Sequence, residues 1–176
     1  MNRTKKIIIN MGIVLLICFF FYYMVGYYLT KEACIRDSIR GLYCKEDQLI
    51  NSVWIKPYDV TLVADLDHLT VSLISTEKVG FFYRMGNNSI GMEIDRNNPI
   101  DIGGIFDSDY GTVTYIYRND KSIDEVHLVM EDGETKMVNE WVNDFILLSY
   151  DNRDKWMHTI CRVYDDNGEL VYETAY

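Results

Sequence analysis

The sequence predicts a mainly β protein: an N-terminal transmembrane helix followed by an antiparallel β-sandwich or partly open barrel. Three observations carry this. No charged residue lies between Lys6 and Lys31. After Lys45, apolar residues recur with period two in short runs separated by turn clusters. Strands do not alternate with helical patterns of the kind that build βαβ units. The chain of 176 residues suits one domain with an appendage. Its 2 Pro and 11 Gly exclude a collagenous chain, and 14% aromatics exclude general disorder. Four Cys are too few for a disulfide scaffold.

The uncharged stretch from Ile7 to Leu29 is 23 residues. As a helix it would extend roughly 34 Å, enough for the ~30 Å hydrocarbon core. Tyr22, Tyr23, Tyr27 and Tyr28 gather near its end and Arg3, Lys5 and Lys6 before its start, the expected membrane-interface anchors. A cleaved signal peptide would have a shorter apolar region and an A-x-A-like site, which the segment Gly26 to Ala33 lacks. A lipoprotein signal fails too, because Cys18 follows Leu15-Leu16-Ile17 rather than a small residue. The basic six-residue tail is the layout of a signal-anchor that leaves the domain outside the cytoplasm. Lys31, Arg36, Arg40 and Lys45 on the far side pull the other way.

The charge is divided along the chain. Residues 1–46 carry seven Lys/Arg and three acids, a balance of +4; residues 47–176 carry ten and 24, a balance of −14. The acidic part argues against nucleic-acid binding. It should also be repelled by anionic lipid, so that the helix rather than the domain surface holds the protein at the membrane. The expected organisation is a cytoplasmic tail and transmembrane anchor over 1–30, a membrane-proximal segment over 31–46, and an extracytoplasmic domain over 47–176.

Within the membrane-proximal segment, Ile35, Ile39 and Leu42 recur near helical spacing, with Gly41 as the breaker. Cys34 and Cys44 are a candidate disulfide pair. A helix through both would hold their Cα atoms about 15 Å apart, beyond the ~7 Å limit. A bridge therefore requires a chain reversal near Asp37 to Gly41, and two unpaired thiols remain the alternative. A short helix is expected around Glu46 to Trp54, stopped by Pro57.

Candidate strands follow at 62–64, 69–73 and 80–84, then at 90–94, where Ile90, Met92 and Ile94 alternate with polar or small residues. Asp101 to Tyr110, with its Gly103-Gly104 pair, reads as an irregular acidic connection. Thr112 to Tyr117 is dense in β-formers. Val126, Leu128 and Met130 alternate before an Asp132-Gly133 hairpin turn. Phe145-Ile146-Leu147-Leu148 suits a buried strand. Trp156 to Tyr164 and Leu170 to Tyr172 flank Asn167-Gly168, a strong hairpin signal.

Chemistry-bearing patterns are sparse. His68, His127 and His158 form no H-E-x-x-H and no zinc spacing with Cys. Asp107-Ser108-Asp109 and Asp165-Asp166-Asn167 bring hard oxygen ligands together, as calcium needs, but neither completes an EF-hand loop, and both read as turns. Cys161 lies on the more apolar side of its strand, where a thiol is inert. There is no G-x-S-x-G, no P-loop and no dinucleotide fingerprint. Trp54, Trp141 and Trp156 could stack a sugar or peptide, although core packing explains them more economically.

Tyr110-Gly111, Ile123 to Leu128 before Asp132-Gly133, the strand at Phe145, and Val163 to Leu170 make a pattern over residues 110–173. With the anchor and a composition of 19 Ile, 14 Tyr and 12 Asn against 3 Ala, it resembles uncharacterised single-pass, β-rich extracytoplasmic proteins of low-GC Gram-positive bacteria. The resemblance implies an Ig-like sandwich and a membrane address, and no catalytic residues. The expected function is therefore a membrane-tethered binding or interaction module with no catalytic residue, cofactor or metal and with a protein or envelope partner. The alternatives are a cell-envelope enzyme using Asp/Glu acid–base chemistry and a cytoplasmic-facing adaptor.

Overall fold

The computed structural model describes residues 3–41, 49–107, 111–150 and 158–175. Helix α1 (Arg3–Met24) leads into a two-residue strand β1 (Tyr27–Tyr28) and helix α2 (Lys31–Gly41). Twelve further strands are described: β2 (Leu49–Ile55), β3 (Tyr58–Asp65), β4 (Thr70–Val79), β5 (Phe82–Met85), β6 (Ser89–Glu93), β7 (Ile100–Asp107), β8 (Gly111–Arg118), β9 (Ile123–Met130), β10 (Thr135–Val138), β11 (Phe145–Tyr150), β12 (His158–Asp165) and β13 (Leu170–Ala175). Every pairing is antiparallel. The chain is mainly β, as its period-two patterning predicts.

The strands form three sheets. A large sheet has the order β1-β5-β4-β3-β2, with β6 also on β4; a middle sheet is β11-β8-β7; an outer sheet is β10-β9-β12-β13. Side-chain alternation decides how they stack. Val113, Tyr115 and Tyr117 of β8, with Phe145 and Leu147 of β11, pack against Leu62, Val71 and Leu73 of the large sheet. The intervening Ile116 and Ile146 pack the other way, against Val126, Leu128, Cys161 and Val163 of the outer sheet. The middle sheet therefore contributes to two cores at once, and β8 is buried without a break from Gly111 to Tyr117. Each large side chain so enclosed contributes about 1.5–3 kcal/mol through burial. Beyond the ladders, β2 runs beside β11 and β6 beside β7. The large and middle sheets thus enclose a common core.

The far face of the large sheet is covered by α2. Thr30 caps this helix, its Oγ1 accepting from the Ala33 N–H at 3.1 Å. Ile35 and Ile39, one turn apart, pack on Val63 and Ile74. Lys31 pairs with Asp59 at 2.7 Å. Residues 31–41 of the segment expected to lie between membrane and domain therefore pack on the large sheet; residues 42–46 lie outside the described residues.

Three further expectations are corrected. The helix expected over 46–54 is instead strand β2, because Val53 and Ile55 fit the ladder opposite Val60 and Tyr58, where β-branched residues pack well. The irregular connection expected from Asp101 is strand β7. Gly103 sits opposite Tyr115, and an added Cβ there would come within 2.7 Å of the Tyr115 ring. The glycine makes room for the ring, whose hydroxyl donates to Asp101 at 2.9 Å. The apolar span drawn to Leu29 ends earlier, at Met24. Gly26, at φ 81, turns the chain, and Tyr27 and Tyr28 pair with Arg84 and Tyr83. Those two tyrosines belong to the large sheet rather than to the helix.

Replacing Gly103 with valine would displace the Tyr115 ring and break its bond to Asp101. The expected loss is about 1–3 kcal/mol by urea denaturation. Gly12→Ala, with nothing within 4 Å of the new Cβ, should leave the stability of the β body unchanged.

Candidate binding cleft

Three sheet edges meet at one place. Among the described residues β10 pairs only with β9, β11 only with β8 apart from a bridge to Val142, and β2 only with β3. Between them opens a cleft of about 380 Å³ lined by Asn51, Lys136, Met137, Val138, Asn139, Glu140, Val142 and residues 146–148. Met137 is 66% exposed and Val142 39%. The lining is mixed, the amides and charges of Asn51, Lys136, Asn139 and Glu140 standing beside apolar Met137 and Val142.

The connection from β10 to β11 is held firmly. Trp141 Nε1 donates to the Asp124 carbonyl at 2.7 Å, and the Arg118 guanidinium lies 4.8 Å from its ring centroid. Arg118 Nε donates to Asp144 at 2.9 Å. Asn143 and Asp144 take left-handed conformations at φ 50 and 67, which these residue types tolerate. One wall of the cleft is thus built on a locked turn. Trp141 is partly buried here, against the Arg118 guanidinium. Trp54 is 66% exposed with Lys56 Nζ 5.8 Å from its ring; Trp156 lies outside the described residues.

The other candidates are dispersed. Cys161 is fully buried, and burial pushes its thiol up to about 12. Such a group is neutral at physiological pH and a poor nucleophile. Cys34 is a free buried thiol pushed up to about 11 by burial and by Asp37; Cys44 lies outside the described residues. His68 Nδ1 sits 2.8 Å from Asp65. His127 contacts Glu125 and stacks on Tyr164 with centroids 4.4 Å apart. The side chain of His158 is not described. Arg3, Lys5 and Lys6 are exposed at the start of α1, while Tyr22 and Tyr23 fall within its last turns.

The acidic turns are accounted for by the backbone. Asp165 Oδ1 accepts from the N–H groups of Asn167 at 3.0 Å and Glu169 at 2.8 Å. Of the 107–111 cluster, residues 108–110 lie outside the described residues. Among the described residues no three His, Cys, Asp or Glu side chains gather as a metal would require. The residues lining the cleft escaped notice in the sequence because topology assembles them from three separate strands. The one local signal is Met137, an apolar residue at an exposed position of a short strand.

The Glu169 N–H, followed by the bonds of Asn167, holds the Asp165 carboxyl below the usual carboxylate range. A lowered carboxylate stabilises the fold above the unfolded value of about 3.9 and loses that contribution as pH falls through its folded value. Asp165→Asn should therefore lower the thermal midpoint near neutrality and flatten the acid limb of the profile, the variant and wild-type midpoints converging at low pH.

Comparison of the chain with protein-family models, with curated proteins and with solved structures gives no match.

Proposed function

We propose that the chain is a single-pass membrane protein whose acidic β body, outside the cytoplasm, acts as a non-catalytic binding module. The observation that carries this reading is the surface of α1. Ile7, Ile8, Ile9, Met11, Ile13, Val14, Leu15, Leu16, Ile17, Phe19 and Phe20 are all 48–69% exposed. At 3.6 residues per turn they project on every side of the helix, and leaving each in water forfeits about 1.5–3 kcal/mol. Among the described residues no helix is long and apolar enough to cross a membrane. The helical backbone continues to Met24, and Ile7 to Met24 gives roughly 27 Å, within the ~17–25 residues that suffice for a span.

Orientation is supported by the basic group Arg3, Lys5 and Lys6 ahead of the apolar run. The resemblance to single-pass envelope proteins points the same way. The binding role is supported by the cleft beside β10, an edge strand to which an extended peptide could add. Its lining offers Lys136 and Glu140 as the only titratable groups, and neither has a nucleophile beside it among those residues.

Two arginines in mid-helix, Leu15→Arg with Leu16→Arg, each disfavour insertion by about 2.5–3.5 kcal/mol. The double variant should move from the alkaline-carbonate-resistant pellet to the supernatant, whereas the wild-type chain stays in the pellet. Protease added to intact cells should digest the β body of the wild type. Digestion only after lysis would favour the cytoplasmic-facing adaptor.

A further inference from the structure

One end of the large sheet differs in chemistry from the rest of the acidic body. Successive pairings join Ile55, Tyr58, Glu77, Arg84 and Tyr27 into a single row across five strands. Beyond that row lie the β2–β3 turn at Lys56 and Pro57, the segment from Lys78 to Tyr83, and Tyr28 to Thr30. These residues include two lysines and no acid. The row itself is neutralised, since Arg84 Nε bonds Glu77 at 2.6 Å. One position below the turn, Asp59 is paired with Lys31. The opposite end of the same sheet carries Asp65 at the end of β3, Asp67 in the β3–β4 connection and Glu93 at the end of β6. Within the large sheet these acids lie at the end away from this rim; the β7–β8 turn that begins at Asp107 adjoins the row, since Gly111 lies against Ile55.

The rim is also its most exposed apolar edge. Val79 pairs with Phe82, so Gly80 and Phe81 form a two-residue hairpin loop in which Gly80 takes φ 62. Loop tips are normally polar, yet Phe81 is 90% exposed. Leu29 is 57% exposed, and Trp54, one position inside the row and opposite the Lys31-paired Asp59, is 66% exposed. With neighbouring strands about 4.8 Å apart, the residues from the Lys56 turn to Leu29 span roughly 20 Å.

From these features we infer that this rim is a second membrane contact, in which Phe81, Trp54 and Leu29 enter the headgroup layer of the bilayer while Lys56 and Lys78 meet anionic lipid. The inference rests on the reading of α1 as a span. Continuity supports it. The chain runs from Met24 through Val25, 60% exposed, and Gly26 to Leu29, a reach of at most about 17 Å. A rim this close to the end of the span lies at the membrane surface. Aromatic rings are favoured there, and each lysine near an anionic surface adds about 1 kcal/mol.

The test uses the full chain reconstituted into phosphatidylcholine–phosphatidylserine vesicles with brominated acyl chains. Bromine should quench tryptophan emission in the wild type, and Trp54→Phe should abolish that quenched component. Phe81→Ser and Lys56→Glu with Lys78→Glu should weaken it, with the thermal midpoint unchanged because all three positions are exposed. An alkaline carbonate wash separates the two claims. If the chain resists the wash but Trp54→Phe leaves quenching unaltered, the rim contact is overturned and the span stands. Release of the chain by the wash overturns the span and the rim contact together.

Discussion

The fold depends on the middle sheet, and above all on β8, being enclosed on both faces. Tyr115 and Tyr117 point into one core, Ile116 into the other, and Thr112 and Thr114 are buried between them. A strand in this position tolerates no shift of register, because a slip by one residue exchanges the two sets of side chains. Neighbouring features conform to that demand. Gly103 yields space to the Tyr115 ring, and Phe145 meets Tyr117 with ring centroids 4.6 Å apart. The turn at Asn143 and Asp144 delivers β11 to the edge of β8, and Arg118 fixes the turn.

That double enclosure also explains which parts of the fold were legible in the sequence. Strands with one solvated face, such as β9, alternate clearly, and the hairpins at Asp132-Gly133 and Asn167-Gly168 are marked by their turn residues. Strands covered on both faces do not alternate. β3 is buried throughout its last six residues, so its sequence cannot say how many layers it touches. The stacking of three sheets was invisible for this reason. β7 was hidden by its glycines, which break a β pattern unless the partner ring is known. β2 was obscured by Asn51 and Ser52, polar residues on an exposed edge. The cleft was illegible because no segment carries it alone: Asn51, Met137 and Leu148 become neighbours only through the topology.

Charge and hydrophobicity are unevenly distributed over the large sheet. The rim at Lys56 and Phe81 and the Lys31–Asp59 pair lie towards one end of it. Acidic turns such as Asp65–Asp67 lie at the other end of the large sheet. Net charge alone describes this molecule poorly, since the same balance of −14 over 47–176 accommodates a lysine-bearing edge. A body tethered by α1 and steadied by that edge would hold the cleft beside β10 at a restricted height above the bilayer, which raises its effective concentration towards partners in the same layer.

The central claim is that α1 depends on lipid for its structure while the β body is stable by itself. Hydrogen exchange on the full chain, measured in lipid bilayers and in mild detergent-free buffer, tests it directly. Amides of residues 7–24 should be protected only in bilayers, and those of 112–117 should be protected equally in both. Equal exchange of residues 7–24 with and without lipid, or rapid exchange of 112–117 once lipid is removed, would contradict the account.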